Sequence, residues 1–251
     1  MTVAVLWFRK SLRLHDNEAL TWACSSDEVD SILPIYIFDE GEIDGGEEAL
    51  GFNRIKFTEQ ALKDLDSGLR KELGICLKIF SGDYQEVLKK IVTGIGGERV
   101  CLAYEYCSEP RIRDAEDALK DWFGISESFR TISFPARHTL LDIEEVVGSK
   151  DYKKPNSMKD MERIFRRHFD VNSMGFYEVG DPLPVPNNSK PLTDAYSSVN
   201  GLEISDLERI IMETYPERSD NTQYFPGGET EALERLRTVS YTHLTLPTRA
   251  V

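Results

Sequence analysis

Five short apolar runs alternate with helix-like segments along the N-terminal part of the chain, and no other feature constrains the fold as strongly. A short, continuous apolar run is typical of a strand buried on both faces of a parallel sheet. Strands that alternate with helices are joined by crossovers and therefore run parallel. The sequence predicts a doubly wound five-stranded parallel sheet of the Rossmann or flavodoxin-like class, then an irregular interdomain linker and the start of an all-α domain. The predicted strands are Val3–Phe8, Ile32–Phe38, Ile75–Phe80, Val100–Tyr104 and Phe129–Phe134.

Local signals mark where the intervening helices begin and end. Asp16 and Asn17 are suited to cap the first helix, because their side-chain oxygens accept hydrogen bonds from free backbone N–H groups. Apolar residues recur at three- and four-residue spacing from Phe57 to Leu69, and Gly74 follows at the position of a C-cap. These signals predict an apolar face that packs the second helix on the sheet.

A cationic loop follows the first predicted strand. It carries Arg9, Lys10 and Arg13, at the edge where a doubly wound sheet binds its ligands. Guanidinium and ammonium groups are suited to bind an anionic or carboxylated ligand. Arg13 has a second interpretation, in which it pairs with Asp16 or with a nearby backbone group and holds the loop.

The chain is acidic, with 44 Asp and Glu against 30 Lys and Arg and a formal net charge of −14. Binding to phosphates needs clustered Lys and Arg, so this balance disfavours a large DNA-binding face on the segment. One later basic patch is interpreted either as a local contact or as a solvated helix face. The apolar runs are too short to cross a membrane, and no secretory signal is expected. The basic patch comprises Arg163, Arg166, Arg167 and His168.

The sequence lacks the short motifs of phosphate, metal and nucleophile sites. It has no Walker motif, no G-x-G-x-x-G after a strand, no HExxH and no G-x-S-x-G. The four cysteines form no CxxC pair and have no metal-ligand spacing with the four histidines. We therefore predict no metal site, and free cysteines of this kind indicate a reducing compartment, cytoplasm or nucleus.

The pattern changes after about Asp142, and this change sets the predicted domain boundaries. Residues 1–142 are predicted to form the α/β domain. Residues 143–224 are predicted to be an interdomain linker with one or two helices, because the segment contains a stretch rich in Pro and Asn. Residues 225–237 are predicted to begin a helical domain. Residues 238–251 abandon the helical pattern for β-branched residues and a proline, so we interpret them as a non-native tail.

Four stretches resemble the photolyase and cryptochrome family, in the order in which that family carries them. Trp7–Leu20, WFRKSLRLHDNEAL, is similar to the N-terminal signature W-F-R-x-D/G-L-R-x-x-D-N-x-A-L. Glu105–Pro110 is similar to E-Y-D-S-E-P, with Cys107 in place of the usual acid, and His138–Leu140 is similar to H-T-L-Y. Phe225–Leu233, FPGGETEAL, resembles the start of the flavin domain. The second and third stretches are typical of the (6-4) photolyase and animal cryptochrome branch.

The resemblance implies a two-part protein of which this chain supplies the first part. Family members bind FAD in a C-terminal helical domain. The repair enzymes use light to transfer an electron from reduced flavin to a DNA photoproduct, whereas cryptochromes use the same chromophore for signalling or circadian repression. The residues that hold FAD and contact DNA would lie beyond Leu236, so the chain is interpreted as truncated, with no catalytic residue of its own.

In many photolyases the N-terminal domain holds an antenna chromophore, a folate or a deazaflavin, which passes excitation energy to the flavin. By position, the resemblance places a candidate antenna pocket at the carboxyl edge of the predicted sheet, and gives Arg13, Asp16 and Asn17 a structural role in its loop. The alternative is an empty or remodelled pocket, as in many animal cryptochromes. The candidate pocket residues are Arg9, Lys10, Phe38, Asp39, Asn53, Arg54, Cys107, Ser108 and Glu109.

Three hypotheses for function follow. The favoured one is a (6-4)-type DNA photolyase, whose partner is UV-damaged DNA bound through the missing domain. The second is a cryptochrome that acts on clock or signalling proteins. The third, a generic nucleotide-binding domain, is disfavoured because no glycine loop is present to hold a phosphate. A location in the nucleus or cytoplasm is expected for the first two, with no membrane partner.

Overall fold

The computed structural model describes residues 1–39, 41–43, 50–96, 98–123, 128–135, 147–150, 152–168, 182–193, 201–216 and 225–243. Within these residues, strands and helices alternate through the first half of the chain, and three further helices follow. The elements are β1 Thr2–Phe8, α1 Glu18–Ser25, β2 Ser31–Phe38, α2 Phe52–Gly68, β3 Lys78–Ser81, α3 Tyr84–Ile95, β4 Arg99–Glu105, α4 Pro110–Phe123, β5 Phe129–Phe134, α5 Met158–His168, α6 Ile204–Thr214 and α7 Glu229–His243.

The strands form one five-stranded sheet in the order β3-β2-β1-β4-β5. Every strand pair is parallel. This confirms the predicted doubly wound parallel sheet. From β1, the chain first adds β2 and β3 on one side of that strand and then adds β4 and β5 on its other side. The strand order therefore reverses between β1 and β4, and this is the point at which such sheets bind ligands.

The core lies in two layers, one on each face of the sheet. Successive side chains of a strand point to opposite faces, so β1 contributes to both layers. Ala4, Leu6 and Phe8 pack with α1 and α2. Val5 and Trp7 pack with α3 and α4. The continuous apolar run of β1 is explained by this burial on both faces.

The third strand begins later than its apolar run predicts, at Lys78 and not at Ile75. Helix α2 continues into a π-helical turn, Leu69–Leu73, and ends at Gly74, whose φ of 68° is in the left-handed region. The backbone then passes Asp66, whose Oδ1 accepts a hydrogen bond from the N–H of Leu77 at 2.8 Å. Because that N–H is bound by a side chain, it is not available to a neighbouring strand.

We expect Asp66→Ala to lower the free energy of unfolding by about 1–3 kcal/mol, because a buried N–H loses its acceptor. Asp66 is itself buried, and its other carboxylate oxygen accepts from Arg70 Nε at 2.7 Å. Urea denaturation followed by circular dichroism measures the change. The matched control is Glu72→Ala, which removes only an exposed pair with Lys71 and should change stability by less than about 0.5 kcal/mol. Equal stability of the two variants would contradict the anchoring role of Asp66.

Part of the interval predicted as a linker packs against the α/β core. Leu207 and Ile211 of α6 are buried, and α6 contacts α2. Lys63 of α2 pairs with Glu208 of α6. Leu192 forms an isolated parallel bridge with Ile32 at the start of β2. The interval 143–224 therefore contributes apolar residues to the core, and its boundary as a separate linker stays a prediction.

Helix α7 runs from Glu229 to His243, six residues past the predicted break in the helical pattern at Thr238. The expected loss of helix is wrong for residues 238–243, since an established helix propagates through β-branched residues at a small cost per residue. The hydroxyl of Thr238 donates to the carbonyl of Glu234 at 3.1 Å, within the helix. Residues 244–251 lie outside the described residues, and the non-native origin of the tail stays a prediction.

The basic patch on α5 is neutralised in part by its own helix. Arg163 pairs with Asp160, and Arg166 pairs with Glu162 at 2.6 Å. Pairs of this spacing are typical of a solvated helix face, which favours the second of the two interpretations. Among the described residues, no helix is long and apolar enough to cross a membrane.

All four cysteines lie in the described part of the chain and are free thiols. Burial raises the pKa of Cys24 to about 11, against a smaller lowering by Lys190. Burial also raises the pKa of Cys101, whereas Cys76 is half-exposed. Because the thiolate is the reactive form, we expect iodoacetamide at neutral pH to modify Cys76 first in the native protein. Peptide mapping by mass spectrometry tests this order, and equally fast modification of Cys24 would contradict it.

Candidate ligand site at the carboxyl edge of the sheet

A cavity of about 550 Å³ opens where the strand order reverses, at the carboxyl ends of β1 and β4. The loops after these two strands form one side of it, with part of α1. Helices α2 and α7 form the other side. The lining includes the segments 6–13 and 103–109 together with Asn17, Ala19, Leu20, Phe57, Ala61, Gly228, Glu229, Ala232 and Leu233.

Arg9 is held inside the domain by a buried ion pair. Its side chain is 5% exposed, and its guanidinium donates to the Glu116 carboxylate and to the carbonyl of Glu105. The guanidinium carbon also lies 4.4 Å from the centroid of the Tyr104 ring and 4.9 Å from that of Trp7. The charge of Arg9 is therefore balanced within the protein, although the residue lines the cavity.

The structural interpretation of the loop after β1 has direct contacts in its favour. Arg13 donates to the carbonyl of Asp16 at 3.0 Å, and its guanidinium lies 3.6 Å from the Asp16 carboxylate. Asn17 caps α1 by accepting from the N–H of Leu20 at 2.9 Å, and its amide donates to the carbonyl of Arg13 at 3.1 Å. Asp16 has a positive φ of 53°, so the turn itself is tight. Arg13 both holds this turn and lines the cavity.

The other predicted pocket residues that line this cavity lie in the loops after β1 and β4. Lys10 pairs with Glu109 at 2.9 Å, and both side chains are exposed. Cys107 is buried, and Ser108 is exposed. The structure therefore brings together five of the nine predicted pocket residues, namely Arg9, Lys10, Cys107, Ser108 and Glu109.

The other four predicted pocket residues do not line this cavity, and their role in a chromophore site stays a prediction. Phe38 is fully buried in the core. Asp39 is buried and pairs with Arg111 at 2.9 Å. Asn53 and Arg54 are exposed on the first turn of α2, because Ile55 occupies the face of that helix that packs on the core.

Beside the cavity, carboxylates and phenols crowd the ends of β2 and β3. Burial raises the pKa of Glu42. The hydrogen bond from the backbone N–H of Asp39 lowers this pKa in part, whereas the negative charge of Asp39 raises it further. Burial is also the main cause that raises the pKa of Tyr36 and of Tyr84, and Glu42 raises both further. This edge therefore disfavours additional negative charge.

The N-terminus of α7 closes the cavity, although no site role was predicted for it. Glu229 accepts hydrogen bonds from the N–H groups of Leu14 at 2.8 Å and His15 at 3.1 Å. Thr230 binds the Asp64 carboxylate of α2 through its N–H at 2.9 Å and its hydroxyl at 2.7 Å. The adjacent glycines in FPGGETEAL are the sequence signal from which a close backbone approach could have been predicted.

At Gly227 the backbone of this segment meets the backbone of α2. Its N–H donates to Gln60 Oε1 at 2.9 Å, and a Cβ atom there would overlap the carbonyl oxygen of Phe57. Gly228 has a φ of 122°, which L side chains rarely adopt. Both glycines are therefore required by the docking of α7.

The described residues hold no cluster of His, Cys, Asp or Glu arranged to bind a metal ion.

Comparison with known proteins assigns the chain to a family. The family model "DNA photolyase" matches residues 4–187. The chain belongs to the DNA photolyase family. The match begins within β1, covers β2 to β5 and both cavity loops, and ends before Leu192 and α7.

Relatives in this family include both repair enzymes and cryptochromes. A (6-4) DNA photolyase of Arabidopsis thaliana is 30% identical over 93% of this chain and 40% of its own length. Cryptochrome-1 of Sylvia borin is 30% identical over 93% of this chain and 35% of its own length. The photolyase-family chain thus spans about two fifths of the length of these relatives.

A solved photolyase has the same fold. The archaeal photolyase of Sulfolobus tokodaii, a structure with two FAD molecules, superposes with a TM-score of 0.64 at 17% identity. The superposition covers 93% of this chain and 46% of that one. At this identity the likeness supports the fold and not the ligands of the present cavity. The third family-like stretch, His138–Leu140, lies outside the described residues.

Proposed function

We propose that this chain is the N-terminal, antenna-type portion of a flavin-dependent blue-light protein, a (6-4)-type DNA photolyase that repairs UV photoproducts. One observation carries the proposal. Three stretches that resemble the family, in the loop after β1, the loop after β4 and the start of α7, line the same cavity. Stretches far apart in sequence that meet at a switch point indicate a ligand site.

The cavity is suited in size to an antenna chromophore. Small-molecule sites are about 300–1,000 Å³ and mostly apolar with a few polar groups. The volume of about 550 Å³ falls in this range, and apolar side chains of α2 and α7 line one side of the cavity. When bound, an antenna absorbs light and transfers excitation energy to the flavin. The chain would hold it by Lys10, Arg13 and the loop at Cys107–Glu109.

FAD and DNA are proposed to bind elsewhere in the longer protein. The sequence offers no glycine loop for the phosphates of FAD, and its net charge of −14 disfavours DNA on this segment. The alternative function is that of a cryptochrome that acts through clock or signalling proteins. Equal identity of 30% to members of both classes supports either function. Both place the protein in the nucleus or cytoplasm.

The test is to sequence the transcript past the codon for Arg237 and to express the longest protein that it encodes. We expect the longer protein to purify with bound FAD and to repair a (6-4) photoproduct oligonucleotide under blue light. This 251-residue chain serves as the control and should do neither. Bound FAD without repair would favour the cryptochrome function. A longer protein that binds no flavin would overturn both.

A further inference from the structure

We propose that a smaller cavity, at the amino ends of β1, β4 and β5, binds a doubly charged oxyanion of the phosphate class. This amino-edge cavity has a volume of about 290 Å³. It lies at the opposite edge of the sheet from the candidate chromophore site, so the inference does not depend on the proposed function. Its lining comprises Thr2, Glu28, Arg99, Val100, Cys101 and Arg130.

The sheet directs two arginines to one side of its amino edge. Thr2 of β1 is in register with Arg99 of β4. Two residues further along β4, Cys101 is in register with Arg130 of β5. Side chains alternate between the faces of a strand, so Arg99 and Cys101 share the face of Ala103, which packs in the same core layer as α1. Both guanidinium groups therefore line the same small cavity.

Positive charge exceeds negative charge in the lining of the amino-edge cavity. Its one carboxylate among the described residues is Glu28, which pairs with Arg130. Arg99 is exposed, and its side chain makes no ion pair within the described part of the chain. The nearby Asp30 carboxylate already accepts the backbone N–H of Thr2 at 2.7 Å. An anion held between the two arginines would therefore gain attraction from both and relieve their mutual repulsion.

The thiol in the lining adds no opposing charge. Cys101 is fully buried, and burial raises its pKa, although the hydrogen bond and the charge of Arg130 lower it in part. At neutral pH the thiol is therefore protonated. A guanidinium has five N–H donors, and the half-exposed Arg130 uses some of them on Cys101 and Glu28. The others remain available to a ligand in the cavity.

The size and the donors of the amino-edge cavity favour a compact oxyanion. Small-molecule sites begin at about 300 Å³, so the cavity suits a small ligand. Guanidinium groups bind phosphate oxygens through paired N–H···O bonds, and Thr2 places a hydroxyl donor at the same cavity. A phosphate presents oxygens on several sides and thus accepts from two arginines at once. A polyanion such as DNA is disfavoured by the net charge of −14 on the chain.

The test is isothermal titration calorimetry of the 251-residue chain with inorganic phosphate, with ionic strength held constant by sodium chloride. We expect saturable binding with a Kd on the order of 1 mM, because solvent and salt screen half-exposed charges. Glycerol phosphate is the second probe, since it carries the same dianion on an ester. Binding of either probe supports the site, and the tighter of the two identifies free phosphate or a small ester as the preferred ligand.

Two variants and one control assign the binding to the amino-edge cavity. Arg99→Gln should weaken phosphate binding about tenfold by removing a charged donor. Glu28→Gln should tighten it severalfold, because Arg130 then loses its competing carboxylate. Arg209→Gln is the matched control, since it removes the same charge from an exposed ion pair on α6 and should leave binding unchanged.

The absence of saturable heat with both probes would overturn the site. Binding that Arg99→Gln and Arg209→Gln weaken equally, or that none of the variants changes, would place the phosphate elsewhere on the protein and would also overturn it. Neither result bears on the proposed function, which depends on FAD bound by the longer protein. Failure of that protein to bind FAD would in turn leave phosphate binding at the amino edge unaffected.

Discussion

Arg9→Ala will lower the free energy of unfolding by about 3–5 kcal/mol, because it leaves a carboxylate buried without its partner. The Glu116 side chain is 10% exposed, so little water reaches the charge that remains. The variant also removes the guanidinium that packs on the rings of Trp7 and Tyr104 and that binds the carbonyl of Glu105. Urea denaturation at neutral pH measures the loss.

The matched control removes both charges at once. We expect Arg9→Met combined with Glu116→Leu to cost less than Arg9→Ala alone, because no unpaired charge remains and the volume is largely kept. A loss of less than about 1 kcal/mol in Arg9→Ala would show that water reaches Glu116 and that the pair is not buried in solution.

This stability effect changes how a ligand experiment at Arg9 is interpreted. Arg9 is a predicted chromophore-binding residue, and on that basis Arg9→Ala should weaken antenna binding. The ion pair with Glu116 means that the same variant disturbs β1 and α4. Binding should therefore be compared only between variants of equal stability.

Gly227→Ala will release α7 from the α/β domain. The added methyl group would overlap the carbonyl oxygen of Phe57 and approach the backbone N–H of Ala61 at 3.2 Å, and a helix backbone cannot move aside as a side chain can. Overpacking of this kind costs about 1–3 kcal/mol. The Gly227 contact with Gln60 and the Thr230 contacts with Asp64 should then open together.

Hydrogen exchange followed by mass spectrometry measures this release. We expect amides of residues 229–236 to exchange roughly ten- to a hundredfold faster, the equivalent of about 1–3 kcal/mol, whereas those of the strands keep their protection. Gly51→Ala is the control, because its φ is −59° and a Cβ atom there meets nothing within 4 Å. Unchanged exchange in Gly227→Ala would mean that α7 is not docked through this segment in solution.

The fold was predictable because its signals are local. An apolar run such as Val3–Phe8 is buried on both faces wherever it lies in a parallel sheet. Asn17 begins one helix and Gly74 ends another through contacts within a few residues. Where local signals competed, the prediction was less accurate. The run at Ile75 looked like a strand, but the Asp66 side chain takes the N–H of Leu77 from eleven residues away.

The sequence by itself determined the parallel sheet, its carboxyl-edge loops and the family that they resemble, since periodicity and short motifs are read without knowing contacts. Only the tertiary structure decided which charges remain for a ligand. Glu116 neutralises Arg9 from 107 residues away, and Glu229 binds the loop at Leu14 from 215 residues away. The free energy of a charge depends on its burial and on its partners, and chain folding alone sets both.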